Sequence, residues 1–270
     1  MPEIVVSTVN VNGVRAAARK GLLEWLGGTE AGVVCLQETR ADDKQLAAAL
    51  APVLDDGWVL ASAEPAAKGR NGVAVLSRAE PAAVRIGFGS DEFDDAGRYL
   101  EADFEQDGHA LTVASLYLPS GEANTPKQEE KDRFLAEFGT YLAERARSGR
   151  EMVVCGDWNI AHAELDIKNW KGNRKSSGFL PHEREWLTSI IGDEAPWTDV
   201  VRALHPGVDG PYSWWSFRGK AFDNDAGWRI DYQVATSGMA DRAAHARVER
   251  AATYDARWSD HAPVTVRYAA

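Results

Sequence analysis

Long apolar runs are absent from this sequence of 270 residues, and none approaches the roughly 18 residues that a membrane-spanning helix needs. The first residues, MPEIVVSTV, lack the basic segment of a secretory signal peptide, so we expect a cytoplasmic protein without membrane attachment. Only two cysteines are present, Cys35 and Cys155, which excludes a disulfide framework; because both lie in apolar runs, we expect reduced cysteines in the core. A low-complexity linker is absent too, which favours one domain over residues 1–270.

Positive charge is also scarce, since 30 lysines and arginines stand against 41 acidic residues and the formal net charge is -11. This balance argues against general, charge-driven binding to nucleic acid, which requires a basic surface. It leaves open a local basic patch, and it leaves open acidic side chains that are clustered to hold a cation. Tryptophan is abundant: eight of the ten lie after residue 150, so the second half of the chain has a particular need for flat aromatic surface.

Short runs rich in valine and isoleucine, bounded by glycine, proline, asparagine or aspartate, predict β-strands. They are Ile4–Val9, Gly32–Leu36, Gly72–Leu76, Leu111–Leu118, Met152–Cys155, Arg229–Ala235 and Ala262–Tyr268. The clearest helix is Pro126–Ser148, with Thr125 as its N-cap and Gln128 at the spacing of a capping box. Two further helices are predicted, from about Ala16 to Trp25 and over His182–Ile191. The simplest architecture is one α/β domain, in which stacked sheets have helices on the outside.

Polar side chains follow the predicted strands at their ends. They are Asn10, Asn12, Glu38, Tyr117, Asp157, Asn159, Asp231, Asp260 and His261. Each alone has an ordinary explanation, because asparagine and aspartate stabilise turns, glutamate can cap a helix, and histidine can be a satisfied structural residue. Asp231 stands inside the apolar run IDYQVA, where a carboxylate is costly unless it is paired, so a partner such as His261 is expected. Together these acids, amides and one histidine predict a metal-assisted acid–base site on a rigid sheet edge.

Motifs that span nearly the whole chain identify a family. In order, they are NVNGVR (10–15), LQET (36–39), YLPSG (117–121), GDWNIA (156–161), SGFLPHEREW (177–186), YSWWSFR (212–218), GWRIDY (227–232) and SDHAPV (259–264). With these motifs the chain resembles the exonuclease III-type apurinic/apyrimidinic endonucleases of DNA base-excision repair, within the endonuclease/exonuclease/phosphatase superfamily. GWRIDY together with SDHAPV points to the DNA-repair branch rather than to the superfamily at large.

The resemblance implies a fold and a reaction. The fold is a four-layer α/β sandwich of the DNase I-like type, in which two mixed β-sheets pack face to face with helices outside. The reaction is hydrolysis of the phosphodiester 5′ to an abasic site in double-stranded DNA, which leaves a 3′-hydroxyl and a 5′-deoxyribose phosphate. The resemblance also implies 3′→5′ exonuclease activity and 3′-phosphodiesterase or 3′-phosphatase activity on blocked 3′ ends. The relative strength of these activities stays open. The implied cofactor is Mg2+, with Mn2+ as a substitute, and a monomer is expected.

The resemblance also assigns a metal-binding group. Glu38 would be the main ligand. The other members would be Asn10, Asp157, Asn159 and Asp260. Hard carboxylate and amide oxygens suit magnesium, which keeps several of its waters. Such a cation would neutralise charge that develops on the phosphate oxygens, and whether one ion or two act stays open.

A second group would carry the acid–base chemistry. Asp157 would orient or deprotonate the attacking water, and Asn159 would support the phosphate or Asp157. His261, held by Asp231, would contact the scissile phosphate as a fixed donor. Tyr117 would hydrogen-bond the phosphate or lie near the leaving oxygen. Whether Asp157 or His261 is the general base stays open.

Further residues would surround the reaction centre. Asn12 and Arg15 match the first motif and would support the site. Trp214, Trp228 and Ile230 would wall a pocket for a flipped-out abasic sugar, although the run YSWWSF also fits an aromatic core strand, and alternation predicts that one of its two adjacent tryptophans lies in the core. A phosphate-binding rim would contain Lys168, Lys171, Arg174, Lys175, Arg218 and Lys220, although these side chains also fit a solvated loop. The polar segment Ile167–Ser177 is predicted to be an exposed loop.

Two positions depart from the family pattern. Ser120 stands where many members have an amide, and a serine can still donate to a phosphate. Asp225 stands where many members have asparagine, and an aspartate near DNA would repel it. Two rival functions are a phosphoesterase of the same fold that acts on an inositol phosphate or phospholipid, and a non-catalytic DNA-binding relative.

Overall fold

The computed structural model describes residues 3–106 and 108–270, and within them twelve strands form two six-stranded sheets. The strands are β1 (Ile4–Asn10), β2 (Val33–Gln37), β3 (Val59–Ala63), β4 (Val73–Ser77), β5 (Ala83–Ile86), β6 (Tyr99–Gln106), β7 (His109–Tyr117), β8 (Glu151–Asp157), β9 (Trp197–Asp199), β10 (Asp231–Thr236), β11 (Ala243–Val248) and β12 (Val264–Tyr268). The helices are α1 (Val14–Ala17), α2 (Leu23–Gly28), α3 (Asp43–Asp55), α4 (Pro126–Arg147), α5 (Trp170–Asn173), α6 (Pro181–Ile191), α7 (Val200–Leu204) and α8 (Ser237–Ala240). A π-helical turn, Ala18–Leu22, joins α1 to α2, and 3₁₀ turns lie at Asp94–Ala96 and Glu164–Asp166.

Both sheets are mixed. The first has the strand order β11-β12-β1-β2-β4-β3, and the second has the order β5-β6-β7-β8-β10-β9. Within each sheet the central pair is parallel, β1 with β2 and β7 with β8, while the other pairs are antiparallel. Each parallel pair carries the ends of its two strands to one edge, where polar side chains can meet.

Three apolar layers hold the sandwich together. The layer between the sheets includes Val6 and Cys35 from the first sheet and Val113 and Val153 from the second. The outer face of the second sheet packs on α4 and α6, and the outer face of the first sheet packs on α1, α2 and α3. The order is therefore helices, sheet, sheet, helices, and the predicted four-layer α/β sandwich is confirmed. Both cysteines are free and buried, as expected.

Several local predictions need correction. α4 begins at Pro126 with Thr125 as its N-cap, as expected, and the Thr125 hydroxyl accepts from Lys127 N at 3.3 Å. The predicted capping box is wrong, because the Gln128 oxygen does not accept from the Thr125 N–H, and the Gln128 amide donates to the Glu183 carboxylate at 3.0 Å. The predicted loop Ile167–Ser177 contains α5, and Ile167 itself is buried. Five strands and four helices of the described ranges have no counterpart among the predictions: β3, β5, β6, β9 and β11, and α3, α5, α7 and α8. No helix within the described ranges combines the length and the apolarity that crossing a membrane requires.

Gly156 in β8 lets two central strands approach each other. Its φ is +144°, and a Cβ placed there would lie 2.0 Å from the carbonyl oxygen of Leu116 on β7. Because β7 and β8 are paired in the middle of the sheet, that oxygen cannot move away. This glycine therefore sets the strand geometry immediately before Asp157.

Gly156→Ala is expected to lower the free energy of unfolding by about 3 kcal/mol or more, since both the backbone conformation and the contact with Leu116 oppose a Cβ. Gly27→Ala is the matched control, because it adds the same methyl group in α2 with no atom within 4 Å and should be neutral or stabilise by about 0.5 to 1 kcal/mol. Urea denaturation measures both. Equal stability of the two variants would contradict the role of Gly156.

Candidate active site

The predicted polar residues come together at one end of the sandwich. β1 ends at Asn10 and β8 ends at Asp157. Glu38 directly follows β2, and Tyr117 is the last residue of β7. Asp231, at the start of β10, pairs with Asp157 across the antiparallel ladder. The ends of strands from both sheets thus supply the site.

A cavity of about 430 Å³ opens at this end. Asn10 and Asp231 are buried directly behind its lining, whereas Arg15 is exposed and lines an adjoining pocket with Arg19 and Arg40. The predicted site residues that line the cavity itself are Asn12, Glu38, Tyr117, Asp157, Asn159, Trp214, Trp228, Ile230, Asp260 and His261.

Asn10 is fully buried and orders the carboxylates around it. Its Nδ2 donates to Glu38 Oε1 at 2.8 Å and to Asp157 Oδ2 at 2.9 Å, so one amide joins two acids from different sheets. Its Oδ1 accepts from the backbone N–H of Asn12 at 2.9 Å, which fixes the orientation of the amide. Asn10 is a donor in this arrangement, and its assignment as a metal ligand stays a prediction.

Glu38 reaches the cavity from a left-handed backbone conformation with a φ of 49°. Its Oε2 accepts from Arg40, whose Nε lies 2.9 Å away and whose Nη2 also contacts it. Sequence reasoning did not find Arg40, because a basic residue two positions after an acid forms no pattern of its own. The charge of Arg40 offsets that of Glu38, and the other carboxylate oxygen of Glu38 stays hydrogen-bonded to Asn10.

Asp157 has a perturbed carboxyl group in a fixed position. Burial raises its pKa to about 7, with His261 lowering it, Asp231 raising it, and the hydrogen bond from Asn10 lowering it again. Its Oδ1 accepts from the backbone N–H of Asn159 at 3.0 Å, which is the Asx turn that the sequence left open as an alternative. The turn holds the carboxyl group in place and leaves it on the cavity wall.

His261 is held by a buried acid, as the sequence predicts. Its Nδ1 donates to Asp231 Oδ2 at 2.8 Å, and the same oxygen accepts from Ser213 Oγ at 2.5 Å. Burial alone would lower the pKa of His261, but Asp231 and then Asp157 raise it to about 10. The imidazole is therefore protonated at neutral pH, with Nε2 at 3.8 Å from Asp157 Oδ2. Ser213 is a supporting residue that lies inside the motif YSWWSFR, although the motif assigned it no role.

The acidic oxygens fit a hard divalent cation such as magnesium. Glu38 and Asp157 bring two carboxylates to one amide nitrogen, and like charges held so close favour a cation beside them. Asp157, Asp231 and His261 form another group whose ligand atoms lie within 4.8 Å of one another. That group suits a metal less, because His261 already donates to Asp231 and a protonated imidazole is not a ligand. Glu38 with Asp157 would therefore hold the ion.

Asp260 lies at the same edge, and both of its oxygens have protein donors, as do those of Glu38 and Asp157. Oδ1 accepts from Asn12 Nδ2 at 2.9 Å, and Oδ2 accepts from Trp214 Nε1 at 3.0 Å. In this arrangement Asp260 orients an indole ring of the cavity wall. Its assignment near the metal stays a prediction.

Tyr117 and Asn159 complete the polar lining. Burial, followed by the charges of Glu38 and Asp157, raises the pKa of Tyr117 well above its usual range, so its hydroxyl keeps its proton. Asn159 has a φ of 50°, and its Nδ2 donates to the backbone oxygen of Leu118 at 2.8 Å. This bond ties the turn after β8 to the residue after β7.

An apolar wall stands beside these polar groups. The rings of Trp214 and Trp228 meet edge to face with centroids 6.1 Å apart, and Trp214 lies 6.5 Å from the ring of His261. Ile230 belongs to the buried apolar cluster against which both indoles pack. The adjacent Trp215 faces the other way and is buried against Phe222, so one of the paired tryptophans is a core residue, as alternation predicts.

The predicted basic rim lies outside the cavity lining. Lys171 and Arg174 lie over the ring of Trp170, at 5.4 and 5.3 Å from its centroid. DNA contact by the rim stays a prediction. The six side chains are all exposed: Lys168, Lys171, Arg174, Lys175, Arg218 and Lys220.

The two departures from the family pattern have different consequences. Ser120 is exposed and lines the cavity, where its hydroxyl remains available to a ligand. Asp225 accepts from Trp215 Nε1 at 2.9 Å, and Arg250 Nε lies 3.8 Å from the same oxygen. The charge of Asp225 is thus partly offset within its own loop.

Comparison with known proteins identifies the family and supports the fold. The model of the Endonuclease/Exonuclease/phosphatase family matches residues 7–261. The exodeoxyribonuclease of Bacillus subtilis is 35% identical over 256 residues, which are 94% of this chain and 95% of that protein. Among solved structures, the 3′ phosphatase NExo from Neisseria, bound to a product DNA hairpin, has a TM-score of 0.86 at 27% identity and covers 98% of this chain and 99% of its own. An AP endonuclease from Archaeoglobus fulgidus has a TM-score of 0.84 at 27% identity with the same coverage.

The His261–Asp231 pair should make the stability of the metal-free protein depend on pH. The pKa of His261 is about 10 in the folded protein and 6.5 ordinarily. The pair therefore stabilises the folded protein fully below pH 6.5, and this contribution is lost as the pH rises toward and through 10. Urea unfolding in EDTA, between about pH 7 and about pH 9.5, should show stability falling by up to about 1.4 kcal/mol per pH unit, and Asp231→Asn should remove most of that slope.

His182→Gln is the control for this series, because His182 is an exposed histidine paired with Asp132. It should keep the slope of the unmodified protein. A slope in Asp231→Asn as steep as that of the control would contradict the assignment of a protonated His261.

Proposed function

The chain belongs to the endonuclease/exonuclease/phosphatase family, and we propose that within it the protein is a DNA repair nuclease that cuts the phosphodiester 5′ to an abasic site. Its relatives make it an enzyme of the nuclease and phosphodiesterase class. Three relatives are named for three activities, namely exodeoxyribonuclease, 3′ phosphatase and AP endonuclease, so the choice among them rests on the cavity. Exonuclease and 3′-end activities accompany the main one, and the same proposal includes a single-domain, cytoplasmic monomer.

One observation carries the choice of an abasic substrate: the apolar wall and the acid–base pair share a single cavity. Trp214, Trp228 and Ile230 line it together with Asp157 and His261. A deoxyribose without a base presents an apolar ring face to such a wall while its phosphate meets the polar groups. A nucleotide that keeps its base needs more room than this pocket offers. A flipped-out abasic sugar therefore enters the pocket and a flipped-out intact nucleotide does not.

Asp157 is the proposed general base. In the protein without metal its pKa is about 7, which suits a group that takes a proton from the attacking water near neutral pH. Its contacts with Asn10 and with the backbone of Asn159 hold it in one orientation, so little reorganisation precedes the transfer. A positioned base of this kind contributes typically about 10² to 10⁴-fold.

His261 is the proposed electrophilic donor rather than the base, because its pKa of about 10 keeps it protonated. Asp231 and Ser213 fix the ring, and the remaining N–H at Nε2 donates to the oxyanion that forms as the water attacks. Tyr117, protonated and on the same lining, donates to the phosphate or the leaving oxygen. The Glu38 and Asp157 oxygens would hold Mg2+ or Mn2+, and when bound the cation supplies charge neutralisation at the phosphate.

The two rival functions account for less of the site. A phosphoesterase for inositol phosphates or phospholipids leaves without a use the edge-to-face pair of indoles, of which Trp214 lies beside His261. A non-catalytic DNA-binding protein leaves the two buried acids Asp157 and Asp231 unexplained, because burying a carboxyl group lowers the stability of the fold. Both rivals can be tested with the same preparation.

Incision of a labelled duplex with one tetrahydrofuran abasic analogue tests the proposal. We expect cutting 5′ to the lesion with magnesium or manganese and none with EDTA. Asp157→Asn should reduce the rate by about 10² to 10⁴-fold, because the base is lost. Electrophoretic mobility shift should show that this variant still binds the duplex.

Asp91→Asn, a change at an exposed aspartate, is the matched control and should cut at the unmodified rate. Parallel substrates with a 3′-phosphate or an unmodified 3′ end measure the accompanying activities. An intact abasic duplex, with folded protein and either metal, would refute the proposal. If nucleotide or phosphate is released from a 3′ end faster than the internal lesion is incised, the exonuclease or the phosphatase would instead be the main activity.

A further inference from the structure

A buried ion pair lies behind the cavity and has no part in the chemistry described above. Lys131 of α4 and Glu183 of α6 are both fully buried, with Nζ and Oε1 2.7 Å apart. Burying two charges is expensive even when they are paired, and apolar residues of similar size would often be as stable. The other contacts of the pair indicate what it does.

Lys131 holds the two turns that carry the reactive side chains. Its Nζ donates to the backbone oxygen of Asn159 at 2.9 Å and lies 3.4 Å from that of Ser120. The first turn follows β8 and presents Asp157; the second follows β7 and presents Tyr117. An ammonium group has three N–H donors, and here three acceptors come from three separate segments.

Glu183 holds the opposite wall of the cavity. Its Oε2 accepts from the backbone N–H of Gly178 at 2.7 Å and of Leu180 at 3.0 Å, and Ser177 Oγ lies 3.2 Å from its Oε1. Gly178 packs so closely that a Cβ would lie 2.9 Å from the Asn159 oxygen and 3.2 Å from the Trp228 ring. Any shift of this wall therefore moves the indole side of the pocket.

We propose that Lys131 and Glu183 are positioning residues that fix the separation between the turn Asp157–Asn159 and the cavity wall Ser176–Gly178. Their mutual contact joins the segment that presents the base to the segment that shapes the sugar pocket. The inference rests on the proposed function. It goes beyond that function by assigning the precision of the site to two charges that never touch the substrate.

The double variant Lys131→Met/Glu183→Gln tests this role, because it leaves no unpaired buried charge and keeps an acceptor for Gly178 N–H. We expect a folded protein whose kcat on the abasic duplex falls about 10- to 100-fold, as misplacement of reacting groups by about 1 Å can produce. KM should change by much less, since the basic rim is untouched. A merely structural pair would leave kcat unchanged in the folded protein.

The matched control is Lys127→Met/Glu122→Gln, which removes an ion pair of similar length at 2.8 Å with side chains 70% and 59% exposed. Its kcat should equal that of the unmodified protein. A double variant at Lys131 and Glu183 that folds and keeps full kcat would overturn the proposal. If it does not fold, Lys131→Gln/Glu183→Gln, which also leaves no buried charge unpaired, replaces it, with the same expected loss and the same overturning result.

Hydrogen exchange separates this inference from the proposed function. The amides of Gly178 and Leu180 should exchange slowly in the unmodified protein and in the control, and at least about tenfold faster in the Lys131 and Glu183 variant. Unchanged exchange of both amides would overturn the inference whatever the activity. An unmodified protein that leaves abasic DNA intact would refute the proposed function, while faster exchange in the variant would still support the positioning role.

Discussion

The side-chain amide of Asn10 joins two carboxylates that would repel each other if left alone. Glu38 follows a strand of the first sheet and Asp157 ends a strand of the second, so their separation depends on how the sheets pack. The apolar layer between the sheets and the close approach of β7 and β8 at Gly156 set that packing. The site is thus a product of the sandwich as a whole, and a small change of the sheet interface would move one acid relative to the other.

Charge at the site is divided between two tasks. Asp231, supported by Ser213, holds His261 as a cation, while Glu38 and Asp157 remain beside each other as the group that suits a divalent ion. This division favours the metal position between Glu38 and Asp157 over the one next to Asp231, because a protonated imidazole is not a metal ligand. The remaining buried pair, between α4 and α6, holds the backbone around this arrangement.

The sequence predicts the strands that carry the site well, because their apolar runs end sharply in polar residues. Strands β3 and β5 lack that contrast, since β5 is exposed along its length and β3 is only half-buried. Helix α3 has a buried stripe of Leu46, Leu50 and Val53, but Pro52 interrupts its alanine-rich run and argues against a helix there. The contacts within the site depend on residues far apart in the chain. The direction of the Asn10 amide, the pairing of Arg40 with Glu38, and the bond from Ser213 to Asp231 could not be predicted from local patterns.

Anomalous scattering from Mn2+ in crystals of the protein would locate the ion directly and test the division of charge. The account predicts a peak at bonding distance from a Glu38 carboxylate oxygen, with His261 still hydrogen-bonded to Asp231. A peak that instead lies among Asp157, Asp231 and His261, with the imidazole turned toward the metal, would contradict the account. It would mean that His261 is a neutral ligand and not the protonated donor.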